Sequence, residues 1–104
     1  MQEHFPLYAE FREQCPEILE RNEALGEYIH QQGGPLDDKM RWLVKLGISA
    51  ASQHRTSVGT HIARAREAGA SEEEILHALL LVIPTCGFPT FMEAYQVYKQ
   101  KPAE

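Results

Sequence analysis

Between Gln53 and Ile75 the chain reads QHRTSVGTHIARAREAGASEEEI, and its punctuation leaves little choice of local structure. Gly69 can take the left-handed conformation that closes a helix, and Ser71 with Glu74 three residues on forms a capping box that opens the next one. One helix is therefore expected up to Ala68 and another from Glu72. On the first, at 100° per residue, His54, Ser57 and His61 share a face with Val58, Ala65 and Ala68, while Arg55, Arg64 and Glu67 point elsewhere. Reactive polar groups thus sit on the side expected to pack inward.

The rest of the chain follows the same 3.6-residue logic, with no strand alternation, repeat or low-complexity segment. Residues 3–14 offer a short helix with Phe5, Tyr8, Ala9 and Phe11 as apolar contacts, ended after Cys15. Pro16 suits the first position of a helix to about Gln32, with Ile18, Leu19, Leu25, Tyr28 and Ile29 as an imperfect stripe, and Gly33-Gly34-Pro35 stops it. An aspartate of Leu36-Asp37-Asp38 caps a third helix to about Ser52, in which Met40, Leu43, Val44, Gly47 and Ala51 recur at helical spacing. The helix from Glu72 becomes apolar all round between Ile75 and Ile83, which implies a second covering surface and hence a subunit interface. Pro84 is expected to break it, Cys86-Gly87-Phe88-Pro89 to turn, and Pro89 to open a last helix through Phe91, Ala94, Tyr95 and Tyr98. The tail from Gln100 to Glu104 is expected to fray. The fold class is all-α, with five to six helices.

At 104 residues the chain is expected to be a single domain whose modest core oligomerisation would supplement. No apolar run approaches the roughly 20 residues of a membrane span. The start, MQEHFPLYAEF, lacks the pattern of a signal peptide, and two cysteines as far apart as Cys15 and Cys86 suggest no disulfide framework, so a cytoplasmic home is expected. The net charge of −5, with ten dispersed basic residues, argues against nucleic acid or anionic membrane as partner. Small molecules and protein partners remain.

Three stretches together are similar to a known family: Leu36-Asp-Asp-Lys-Met-Arg-Trp-Leu-Val, then His61 with Ala65, Gly69, Ser71, Glu74 and Ile75, then Cys86-Gly-Phe-Pro89. Their order and spacing over residues 36–98 resemble the carboxymuconolactone decarboxylase-like superfamily, which includes the AhpD alkylhydroperoxidases. The resemblance implies an AhpD-like helical fold assembled as trimers or hexamers. The thiol branch carries Cys-x-x-Cys-x-x-x-His preceded by a glutamate, but the matching positions here are His54, Ser57, His61 and Trp42. Peroxide reduction needs one thiolate to attack and a second thiol to resolve, so that chemistry is disfavoured even where a peroxiredoxin label is inherited through the domain. Leu36-Asp37, Arg41, His61 and the Cys86–Pro89 turn instead match the decarboxylase branch.

What that branch implies is cofactor-free decarboxylation or isomerisation of a small carboxylated lactone or related acid. An imidazole with a reference pKa near 6.5 suits His61 as proton donor. Arg41 would hold a carboxylate through its planar fork, His54 would be a second donor, and Trp42, Ser57, Cys86 and the Gly87 backbone would complete the pocket. Plain structural readings stand beside these. His61 suits a core residue bonded to a carbonyl, His54 an exposed helix end, Ser57 a back-bond to its own helix, Arg41 a surface ion pair and Cys86 a small buried hydrophobe. His4, His30 and His77 are taken as structural or exposed. No metal site is expected, since His54 and His61 are separated by about 10 Å of helical rise. A non-catalytic ligand-binding or accessory role is the chief alternative.

Overall fold

The computed structural model describes residues 5–100, so His4 and the tail beyond Gln100 lie outside the described residues. All regular structure among them is helical: α1 (Phe5–Gln14), α2 (Pro16–Gln32), α3 (Asp38–Ala51), α4 (Arg55–Glu67), α5 (Glu72–Leu80), α6 (Val82–Cys86) and α7 (Phe88–Lys99). The all-α expectation holds. The chain divides into two compact units, one ending at Leu36 and the other starting at Asp37.

In the first unit Cys15 leaves helical geometry and Pro16 starts α2, where its missing N–H has no intrahelical partner to lose. Arg12 joins the two helices through Glu23 at 3.3 Å. Of the expected α2 stripe only Leu19 is buried; Ile18, Leu25, Tyr28 and Ile29 are exposed.

In the second unit each boundary has a chemical cause. Asp37 accepts the Met40 N–H at 2.9 Å and caps α3. Ser71 accepts from the Glu74 N–H while Glu74 accepts from the Ser71 N–H, completing the capping box of α5. At the end of α4, Ala70 N–H returns to Ala65 O and Gly69 N–H to Arg66 O, with Gly69 at φ 97°, the paired bonds of a Schellman stop. Gln53, between α3 and α4, holds a positive φ of 60° that nothing in its side chain favours.

Two expectations need correction. The break in the apolar helix falls at Leu81 rather than Pro84, which sits instead in the first turn of α6, where proline is tolerated. Leu81 itself keeps helical dihedrals, so α5 and α6 run on with a small offset. Of the stripe Met40–Leu43–Val44–Gly47–Ala51, only Leu43 packs against the core. Leu46, Ser49 and Ala50 are buried, whereas Met40 and Val44 are exposed. Leucine, isoleucine and valine occupy both sides of this helix, so periodicity alone does not choose between them.

The core joins Leu46 and Ala50 of α3 to Val58, Ile62 and Ala65 of α4, Ile75 and Leu79 of α5, Val82, and Phe91 and Ala94 of α7. Outside it, Arg66 grips Glu72 with two bonds of 2.7 and 2.8 Å, and the Tyr98 hydroxyl donates to the same carboxylate at 3.1 Å. This clamp ties the end of α4 to the start of α5 and the end of α7. The Arg66 bond, helped by Tyr98, holds the Glu72 carboxyl below its ordinary value of 4.5.

A carboxylate depressed on folding contributes stability above its unfolded pKa and loses it as pH falls. Glu72→Gln should therefore be less stable than wild type at pH 7, by under about 1 kcal/mol because the group is solvated, with the gap closing below about pH 4.5; paired urea melts measure this. Leu46→Ala, which empties a fully buried site, should cost about 2–5 kcal/mol in the same melts.

Candidate functional site

The expected site residues separate into two groups on either side of α3. On one side, α4 carries His61 on the flank of its Val58–Ile62–Ala65 core face, half-buried against α3. Its Nδ1 lies 3.1 Å from Oγ of Ser49, a residue only 4% exposed. Ser49 in turn donates to Leu46 O at 3.0 Å. A hydroxyl has one proton, and a carbonyl can only accept, so Oγ meets His61 as an acceptor. An acceptor at that position favours the Nδ1–H tautomer of the neutral ring.

Trp42 completes this cluster, its ring centre 5.7 Å from that of His61 and tilted by 44°. The Lys45 ammonium stands 4.4 Å from the same indole centre, and burial pushes Lys45 below the usual lysine range. Trp42, Lys45, Leu46 and Ser49 recur at i, i+3, i+4 and i+7, so one face of α3 presents all four. Arg41, also half-buried, pairs with Asp38 at 3.7 Å one turn away. His54 is exposed at the N-terminal boundary of α4 and makes no side-chain capping bond; Ser57 is half-buried.

On the other side, a groove of about 420 Å³ runs between α3, α5 and α6, lined by Leu43, Val44, Gly47, Ala51, Ala78, Leu81 and Val82 with Glu74, His77, Thr85 and Cys86 among them. Its lining residues on α3 face away from the Trp42–Ser49 row by roughly 160°. Cys86 thus lines a space that His61 does not. Gly87, at φ 102°, uses its N–H on Ile83 O, so that amide is engaged within the turn. Both cysteines are free thiols, Cys86 exposed and Cys15 half-buried. Among the described residues no three His, Cys, Asp or Glu side chains gather as a metal site requires, and no helix is long and apolar enough to cross a membrane.

Sequence reasoning had not singled out Ser49 or Lys45. The signal that carries them is the second α3 face beginning at Trp42, which the more continuous apolar stripe obscures.

The profile of the Carboxymuconolactone decarboxylase family matches residues 16–100, starting with α2. Among solved structures, the apo crystal structure of a carboxymuconolactone decarboxylase family protein from Legionella pneumophila superposes with a TM-score of 0.80 at 25% identity, covering 92% of this chain and 85% of that one. No curated protein matches the sequence.

If Ser49 fixes the imidazole, the neutral His61 ring should be the Nδ1–H form in wild type and a mixture of both tautomers in Ser49→Ala. Long-range ¹⁵N–¹H spectra of the ring nitrogens distinguish the two. The substitution should cost no more than about 1.5 kcal/mol, since it removes the hydroxyl without opening a large cavity.

Proposed function

The chain belongs to the carboxymuconolactone decarboxylase family, and from that premise we propose that it decarboxylates a small carboxylated lactone without a cofactor, with His61 as proton donor. The carrying observation is the imidazole held through Nδ1 by a buried serine, with the Trp42 ring beside it. In the step, the bond from the substrate's ring carbon to its carboxylate breaks and CO2 leaves. The electron pair passes into the conjugated lactone as an enolate-like anion. His61 in its imidazolium form lowers the energy of that anion and delivers the Nε2 proton to carbon, and the neutral ring recovers a proton from water. Arg41 holds a substrate carboxylate, and Trp42 excludes water beside the imidazole. Ser57 lies on the same helix and His54 at its N-terminal boundary, and in this reading both act at the margin of the His61 site.

Exposed Leu80 and Leu81 beside the groove, and exposed Leu25, Tyr28 and Ile29 on α2, support assembly of the chain as a homo-oligomer, trimer or hexamer. Free cysteines suit a cytoplasmic home, and the family match from 16 to 100 supports one domain. A second reading, in which the chain binds a small ligand without turning it over, draws support from the mainly apolar groove containing His77 and Cys86. An AhpD-like peroxidase is disfavoured, because the positions matching its two thiols hold His54 and Ser57.

Purified protein should release CO2 from 4-carboxymuconolactone, and His61→Ala should lower the rate by at least about a hundredfold while the oligomer keeps its size on a sizing column. Unchanged turnover in that variant would remove His61 from the chemistry, and absence of CO2 from both proteins would favour the binding reading.

A further inference from the structure

We propose that Lys45 is a second carboxylate anchor of the His61 site beside Arg41, gripping an anionic substrate next to the imidazole. The inference rests on the reading of His61 as the proton donor, and it adds a residue that neither the spacing of the sequence nor the family match marks out.

Trp42 is the platform that brings the two groups together. The Lys45 ammonium lies 4.4 Å from the indole centre and the His61 ring centre 5.7 Å from the same point. Ammonium and imidazole are therefore no farther apart than these two lengths laid end to end, a span that a five-membered lactone with a carboxymethyl arm covers. Ser49, which holds His61, follows Lys45 by one helical turn, so the anchor and the serine that holds the proton donor rise from one strip of α3.

The electrostatics point the same way. Partial burial of Lys45 strengthens its attraction for an anion over that of a fully hydrated lysine. Contact with the indole face also limits where the ammonium can go, which reduces the entropy lost on binding.

The sole tryptophan of the chain is the platform itself, so its emission reports a ligand at this site whether or not chemistry follows. Trp42 fluorescence would be titrated with 4-carboxymuconolactone, a dianion, and with 2(5H)-furanone, the same unsaturated ring without carboxylates. The proteins are wild type, Lys45→Met, which keeps an unbranched stem over the indole without its charge, and Lys45→Arg. The dianion should bind wild type saturably, bind Lys45→Met roughly 10- to 100-fold more weakly, and recover most of its affinity in Lys45→Arg. The furanone response should be the same in all three. Equal dianion affinity in Lys45→Met, a parallel loss of both ligands, or no saturable response in wild type would each overturn the proposal. The two readings fail separately: Lys45-dependent binding without CO2 release removes the decarboxylase and keeps the anchor, whereas CO2 release with unaltered KM in Lys45→Met removes the anchor and keeps the decarboxylase.

Discussion

A buried hydroxyl at the seam of two helices governs much of this structure. Ser49 has almost no access to water, so its proton and lone pairs must be satisfied within the protein. The Leu46 carbonyl takes the proton and the His61 ring nitrogen occupies a lone pair. That arrangement stands only while α3 and α4 keep their distance and rotation, and the pair Leu46–Ala50 against Val58–Ile62–Ala65 supplies the apolar contact that keeps them so. Packing and chemistry at this seam are one requirement.

The fold was legible in the chain wherever punctuation and periodicity agreed. Gly69, Ser71 and Glu74 specify a stop and a start through backbone hydrogen bonds, which are local and therefore visible in sequence. Pro84 misled because proline marks a boundary only by position: inside a helix it breaks, in a first turn it fits. The α3 stripe misled for a different reason. Both faces of that helix are apolar, one toward the core and one toward the groove, and only tertiary packing decides between them.

The candidate site was legible in part. His61 and Trp42 emerge from spacing and resemblance, and the structure brings them into ring contact. Ser49 and Lys45 carry no motif, since a serine in a run of small residues and a lysine on a helix are ordinary in sequence. Cys86 follows His61 at the expected separation along the chain but lines the groove on the opposite side of α3. Linear spacing reports which helix a residue belongs to; it does not report the rotation of that helix.

That rotation is fixed by the connection between α3 and α4, just Ser52, Gln53 and His54 long, with Gln53 turned into left-handed geometry and the His54 N–H bonded back to Ser49 O. Such a link works as a gear with few teeth. One added residue that extended α4 at its start would turn the helix by about 100° and carry His61 away from Ser49. The length of this turn is thus as much a part of the candidate site as any side chain in it.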